Sequence, residues 1–303
     1  MTARPTGSDI WFFAPSLKRY DTDEFRNSAA PSFVPVSVTG DHCELGCRHC
    51  NGQLLKGMYQ APTPDRLWEI ATRLKPRGCR GLLLTGGCDR DGIVPFARHC
   101  AVLRRVKDEL GLKTAVHSKL MDEALADALV SAAPDAVMID VVGSDETLAE
   151  VHRLPHRTVQ DVARGIALLE ERRLRMAPHI VMGVHHGEMK GEYRALELLE
   201  GRHLASLVIV LLTRLRASAM KSASSVPLDD LRACLQAARR RFADTPLLLG
   251  CARPMGKAQL AIDMLAIEAG VDGIAYPAEG AVAFARRKGL EPRFSEMCCA
   301  LMA

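Results

Sequence analysis

The chain has 303 residues, 48% of them apolar and 25% charged, with 40 Lys and Arg against 36 Asp and Glu. This is enough for one large α/β barrel or two small domains around a buried core. A formal charge of +4 and only 5% aromatic residues offer neither a broad basic field nor stacking rings for nucleic acid, and the lack of an apolar run of about eighteen residues excludes a spanning helix.

The first residues, Met1-Thr-Ala-Arg-Pro-Thr-Gly-Ser-Asp9, lack the apolar stretch of an export signal. The expectation is a cytoplasmic protein whose ten cysteines are thiols or metal ligands, not disulfides. Residues 1–30 read as an N-terminal extension. Short continuous apolar runs then follow at Pro35–Thr39, Gly81–Thr85, Lys113–His117 and Ala136–Asp140. Four more lie at Ala177–Val181, Leu207–Leu211, Pro246–Gly250 and Asp272–Tyr276. Each has the pattern of a strand covered on both faces.

Helical spacing fills the gaps. Thr63 can cap a helix with Pro64 in its first turn and Leu67, Ile70, Ala71 and Leu74 on one face. Phe96, Cys100, Leu103 and Leu110 form a second stripe, and Leu228, Leu231, Leu235 and Phe242 a third. The Ser- and Ala-rich segment Ala217–Pro227 reads as a long loop. Eight strands alternating with helices predict an α/β fold, a (β/α)8 TIM-type barrel over residues 31–290. A six-strand partial barrel is the alternative. Residues 291–303 read as a short C-terminal tail with the pair Cys298 and Cys299.

The strongest motif is Cys43-Glu-Leu-Gly-Cys47-Arg-His-Cys50, directly after the first predicted strand. Three thiolates at this spacing suit an iron–sulfur cluster with one iron left without a protein ligand. Zinc would need a fourth ligand, for which His42 and His49 are the candidates. Three unrelated buried cysteines are the weaker reading, because such thiols seldom crowd a polar loop. Leu84-Thr85-Gly86-Gly87-Cys88 closes the second strand, and its glycines allow close approach of backbone to a ligand or a plain tight turn. Read at the strand ends, Cys43, Cys88, His117, Asp140, His179 and Cys251 gather soft and borderline metal ligands on one barrel face. Cys100 and Cys234 fall on helix stripes and read as core thiols. Asp140 is a candidate for ribose hydroxyls or for capping the helix near Ser144 and Asp145. His185, His186 and Glu188 read equally as site or surface loop.

The loop is similar to the CX3CX2C motif of the radical S-adenosylmethionine enzymes. That resemblance implies a [4Fe–4S] cluster on Cys43, Cys47 and Cys50, with S-adenosylmethionine on the open iron and an external electron donor. It places His49 against the adenine and Thr85, Gly86 and Gly87 against the methionine amine, with Cys88 where the family usually has Glu. Gly183 and Val184 would back the adenine, and Asp140 would meet the ribose. Phe12-Phe13-Ala-Pro-Ser16, Gly86–Pro95, Pro178-His179 and Gly250-Cys-Ala-Arg-Pro254 resemble the biotin-synthase-like branch that includes the split, two-protein lipoyl synthases. This implies sulfur insertion into an octanoyl chain on a carrier-protein lysine, with a partner radical enzyme and an auxiliary iron–sulfur cluster. Cys88, Cys251, Cys298 and Cys299 are the candidate auxiliary ligands. His117 and His179 stand near strand ends that carry cluster cysteines in that branch, and Arg253 loosely resembles its arginine ligand. The N-terminal CX4CX5C triad of single-protein lipoyl synthases is missing.

Phe12, Phe13, Leu54, Leu55 and Met58 are candidates to line an acyl channel or to pack in the core. The basic runs Glu171–Arg175 and Arg239–Arg241 are candidates to dock an acidic carrier or to be solvated faces. Two other readings remain open at this point: a different radical reaction on a small metabolite, such as isomerisation, methylation or a biotin-synthase-like sulfuration, and a non-catalytic iron–sulfur subunit.

Overall fold

The computed structural model describes residues 8–302. Residues 1–7 of the expected extension and residue 303 of the expected tail lie outside the described residues. In chain order the elements are β1 (Asp9–Phe13), β2 (Phe33–Ser37), β3 (Tyr59–Gln60), α1 (Pro64–Leu74), β4 (Gly81–Thr85), α2 (Cys100–Leu110) and β5 (Lys113–Ser118). Then come α3 (Glu123–Ala132), β6 (Ala136–Ile139), α4 (Asp145–Glu150), α5 (Val159–Glu171), β7 (His179–Met182), α6 (Glu192–Leu199) and β8 (Leu207–Leu211). The last are α7 (Leu228–Arg241), β9 (Leu247–Leu249), α8 (Lys257–Glu268), β10 (Gly273–Ala275), α9 (Ala281–Arg287) and β11 (Glu291–Ser295). Among the described residues no helix is long and apolar enough to cross a membrane.

All eight predicted strands form. They do so because each is a short apolar run that helices cover on one side and the lumen on the other. Local chemistry sets the helix starts as expected: Thr63 accepts the Arg66 N–H at 3.2 Å, and Leu67, Ile70, Ala71 and Leu74 are buried. In α7 the stripe holds for Leu231, Leu235 and Phe242, while Leu228 sits in the first turn and is exposed. Residues 217–227 lie in the connection between β8 and α7.

The strands make two all-parallel sheets, ordered β3-β2-β4-β5-β6 and β7-β8-β9-β10-β1-β11. Parallel bridges at Val137–Met176 and Asp140–His179 join β6 to β7. The eight predicted strands therefore run in one continuous series. No ladder joins β11 to β2 among the described residues, so the barrel is partial. That seam is closed by side chains. The Ser16 hydroxyl donates to the Phe33 carbonyl at 3.0 Å and accepts the Phe33 N–H at 3.1 Å. Glu296 accepts from the Ser28 N–H and hydroxyl, and Ser32 donates to the Glu296 carbonyl.

Two expectations need correction. Asp9–Phe13 is no extension, because β1 pairs with β10 on one side and β11 on the other. The cause is its own apolar run, in which Ile10, Phe12 and Phe13 are buried. Residues 291–303 are not simply a tail either. Glu-Pro-Arg-Phe-Ser looks unlike a strand because β11 is an edge strand, where Pro and charge are tolerated. After β11 the chain turns inward. The turn Cys299–Leu301 touches both β6 and β10, on opposite walls of the barrel, which places it in the lumen. Small residues make that room: Ala115, Ala136 and Ala177 pack with Ala300, Met297 and Leu301, and Ala275 packs with Cys299 and Met302.

Candidate metal and cofactor site

The loop after β2 is held from two sides. On the β4 side, the Thr39 hydroxyl donates to the His42 carbonyl at 2.9 Å and accepts the Gly87 N–H at 2.7 Å. The Glu44 N–H reaches the Cys88 carbonyl at 3.0 Å. Gly87 is packed so closely that a Cβ there would stand 2.0 Å from the His42 oxygen and 2.5 Å from the Cys43 Cα. On the other side the carboxyl end of α4 meets the loop. The Arg48 N–H donates to the Val151 carbonyl at 2.9 Å, and its Nε donates to the Glu150 carbonyl at 3.0 Å. The Cys47 thiol lies 3.5 Å from the His152 carbonyl.

Gly87→Ala tests this clamp. Backbone cannot yield cheaply to a new methyl, so a loss of about 3 kcal/mol in stability is expected, together with loss of iron from the reconstituted protein. Denaturant unfolding and iron analysis would check it; an alanine variant with normal iron and stability would show that the contact is slack.

Cys47 is buried, and Cys43 and Cys50 are half-buried. The Cys47 thiol and the His49 ring both bond to Cys50 and hold its pKa well below the usual thiol range, while Cys47 retains the shared proton. Cys50 is thus disposed to be a thiolate, the form that binds metal. A lone tetrahedral ion with bonds of about 2.3 Å would draw its sulfurs close together. Among the described residues the three thiols do not all lie within 4.8 Å of one another; only Cys47 does so, with His49 and His152. That trio has single-ion size, but it leaves Cys43 and Cys50 without a metal. Three thiols on one loop are the donor set a multi-iron cluster takes.

Next to the loop lies a buried ionic group at the ends of β5 and β6. Asp140 accepts from Lys119 Nζ at 2.7 Å and from His117 Nε2 at 3.1 Å. Burial alone would raise the Asp140 carboxyl, but the Lys119 ammonium and His117 outweigh it and hold the pKa well below the usual range. Lys119 is itself buried, yet Asp140 and the thiols of Cys47 and Cys88 raise its pKa and keep it charged. The cap role is not taken by Asp140: Ser144 accepts the Thr147 N–H, and Asp145 accepts the Val159 N–H.

His179 stands beside this group, its ring 5.8 Å from that of His117. Its Nδ1 lies 3.0 Å from the Ala177 carbonyl, so Nδ1 carries the proton and Nε2 is left as an acceptor. Burial, with His117 adding to it, lowers its pKa from 6.5 to about 4. Between those values the unfolded chain binds more protons than the folded one, so stability falls as pH drops through that window. The gap corresponds to at most ~3 kcal/mol, reduced by the ring's remaining contact with solvent. Melting curves at pH 7 and pH 5 should show this loss, and His179→Gln should shrink it at matched iron content. An unchanged pH profile in that variant would place the sensitivity elsewhere.

The other expected cofactor contacts are distributed as follows. The Thr85 hydroxyl donates to the His117 carbonyl, and Gly86 is flanked by Val38, Thr39 and Val94. Gly183 has φ +68°, gives its N–H to the Glu192 carboxylate at 2.8 Å and lies against Val226. Val184 lines a depression together with Asp140, Gly143, His152, His179 and Glu192. His185 is buried against the Thr147 hydroxyl, and His186 faces Glu150 on the surface. His49 turns its ring edge-on to His152, with centroids 5.1 Å apart. Lys119 and His152 are the two central residues that sequence reasoning missed. Lys119 carried a usable signal, since it directly follows an apolar strand; His152 carried none.

The four candidate auxiliary ligands separate. Cys88 lies beside Cys43, Cys47 and Lys119, and burial raises its pKa to about 12. It does not join the other three. Cys251, at the exit of β9, lies near enough to Cys298 to feel its charge, and Cys299 packs in the same buried cluster as Tyr276. Surrounding protein pushes the Cys251 thiol up, although the residue keeps solvent contact. Cys299 hydrogen-bonds to Cys298 and lowers its pKa. Arg253 cannot be a metal ligand. It is buried, and its N–H groups reach both Asp263 oxygens and the carbonyls of Gly250, Ala275 and Tyr276. Cys79, Cys100 and Cys234 are buried in the core.

The expected channel residues are mostly structural. Phe12 and Leu55 are buried, Phe13 packs in the cluster with Cys299, and Leu54 is exposed on the surface. In the basic run Arg239–Arg241, Arg239 is buried on Asp272 and cannot form a docking face.

Three thiols in one clamped loop at the carboxyl ends of parallel strands define a cluster-binding (β/α) enzyme site. Residues 37–199 match the sequence pattern of the radical SAM superfamily, and the chain belongs to that superfamily. Its fold is similar to HydG, a maturase of the [FeFe]-hydrogenase, with a TM-score of 0.63 at 14% identity over 97% of this chain and 66% of that one. It is also similar to methylornithine synthase, PylB, with a TM-score of 0.60 at 13% identity over 86% of this chain and 83% of that one. SuiB of Streptococcus suis bound to S-adenosylmethionine gives 0.55 at 13% identity over 79% and 53%. The chain spans just under two thirds of HydG and about half of SuiB. No curated protein sequence matches it. Superfamily membership implies a [4Fe–4S] cluster and S-adenosylmethionine, and the residues present fit the cluster. Three soft donors share one loop, one of them disposed to ionise, and unpartnered imidazole nitrogens of His49 and His152 lie beside them.

Proposed function

We propose that this radical SAM enzyme inserts sulfur into unactivated C–H bonds of an octanoyl chain held on a carrier-protein lysine, as one member of a two-protein pair. The observation that supports this reading is a second set of thiols apart from the cluster loop, an exposed Cys251 at the exit of β9 close enough to the half-buried Cys298 and the buried Cys299 to feel their charge. Cys43, Cys47 and Cys50 would hold three irons and leave the fourth to S-adenosylmethionine. When bound, that pair supplies a 5′-deoxyadenosyl radical, fed by an external electron donor, to take hydrogen from carbon. Thr85, Gly86, Gly87, Asp140, Gly183 and Val184 would orient the nucleoside. The second thiol group would hold an auxiliary iron–sulfur cluster whose sulfide is the sulfur source.

Anaerobic reconstitution followed by incubation with an octanoyl-lysine peptide, S-adenosylmethionine and a reductant tests the reading. Mass spectrometry should find one or two added sulfurs, with or without the partner protein. Formation of 5′-deoxyadenosine with no sulfur added would overturn it. One observation favours a second reading, a radical rearrangement or methylation of a small polar metabolite: Lys119, Asp140, His117 and His179 converge at the strand ends, a charged wall better matched to a polar substrate than to an acyl chain.

A further inference from the structure

His152 is 2% exposed, yet neither ring nitrogen has a hydrogen-bond partner. Such a group is costly unless something absent from the protein itself completes it. Its position is fixed from the backbone. The His152 N–H donates to the Thr147 carbonyl at 3.1 Å, continuing the turn of α4. The next residue, Arg153, has φ +58° and turns the chain away. The same α4 end clamps the cluster loop through Arg48 and Cys47. As a result the imidazole faces the loop interior, with a ring nitrogen within 4.8 Å of the Cys47 sulfur and of a His49 ring nitrogen. An imidazole in any tautomer offers at least one N–H donor. Thiolates and sulfides of an iron–sulfur cluster accept such bonds, and these bonds help set its reduction potential.

We propose that His152 is a positioning residue of the bound cluster, donating an N–H to its sulfur at or beside Cys47 and raising its reduction potential. This inference rests on the family's cluster and not on the sulfur-insertion reading. The bond moves no proton and changes no iron ligand; it stabilises the extra electron density on sulfur in the reduced cluster.

The test is an EPR-monitored redox titration of the reconstituted full chain without substrate, comparing wild type with His152→Leu and His152→Gln. The Leu variant should need a lower potential, with the reduced-to-oxidised ratio at a fixed potential falling about tenfold, or ~59 mV for one electron. The Gln variant, which keeps an N–H donor, should retain most of the wild-type value. Equal potentials in wild type and Leu variant at equal iron content would overturn the proposal. If the Leu variant does not take up iron, pulsed EPR of the reduced wild-type cluster decides. A weakly coupled imidazole nitrogen and an exchangeable proton support the proposal. A strongly coupled nitrogen, meaning an iron ligand, or no coupling at all overturns it. Stoichiometric zinc in place of the cluster, bound through Cys47, His49 and His152, would also overturn it. None of these readouts requires an octanoyl substrate, so failure here and failure of the sulfur-insertion reading are separable.

Discussion

A chain carrying Cys43→Ala, Cys47→Ala and Cys50→Ala together is expected to take up no [4Fe–4S] cluster and to form no detectable 5′-deoxyadenosine from S-adenosylmethionine and a reductant. The loop is clamped by β4 and by the end of α4 through contacts that are mostly backbone. Removing three sulfur atoms should therefore leave the barrel folded, so loss of activity can be assigned to loss of ligands. Circular dichroism should stay at the wild-type signal while iron and the cluster's visible absorption disappear. The informative companion is Cys88→Ala. Cys88 lies in the same region, beside Cys43 and Cys47, but outside the three-cysteine loop. Its loss should leave the cluster and 5′-deoxyadenosine formation largely intact. If the Cys88 variant fails as completely as the triple variant, Cys88 is itself a ligand and the three-cysteine assignment is wrong.

The second large effect is expected at the other thiol group. On the sulfur-insertion proposal, Cys251→Ser with Cys298→Ser should abolish sulfur transfer while preserving 5′-deoxyadenosine formation. The two groups are separate in the fold: one lies on the loop after β2, the other on the exit of β9 and the chain after β11. Substitution at the second group should lower iron and acid-labile sulfide to the content of a single [4Fe–4S] cluster. Neither Ser creates a cavity larger than the sulfur-to-oxygen difference, so stability should change by only ~1 kcal/mol. Iron and sulfide content matching wild type would remove the auxiliary cluster and leave the small-metabolite reading.

How far the sequence carried these results depends on the kind of interaction. Short apolar runs such as Leu207–Leu211 announce themselves, because a strand buried on both faces has no polar position to disguise it. The cysteine loop is equally plain, since its spacing serves one chemistry. Asp9–Phe13 was legible as an apolar run, but its place between β10 and β11 was not, because pairing across most of the chain leaves no local trace. Strand β11 was hidden by its edge composition. The division of the cysteines was hidden for the same reason as β1: Cys88 and Cys251 both follow strands, and only the folded arrangement of the strands gives them different neighbours. His152 follows a six-residue helix with no pattern to distinguish it, and its role depends entirely on where α4 ends against a loop about a hundred residues earlier.

The pairing of β1 also bears on how the chain reaches this state. Among the described residues its ladder partners are β10 and β11 alone, so β1 can be satisfied only once a segment more than 250 residues later in the chain is in place. The sheet β3-β2-β4-β5-β6 draws only on residues 33–139 and can assemble from nearby contacts while synthesis continues. That half already contains the three cysteines and the β4 side of their clamp. The topology thus separates a half that is local in sequence and carries the metal ligands from a half that depends on the pairing of β1 with β10 and β11 and on the Cys299–Leu301 turn.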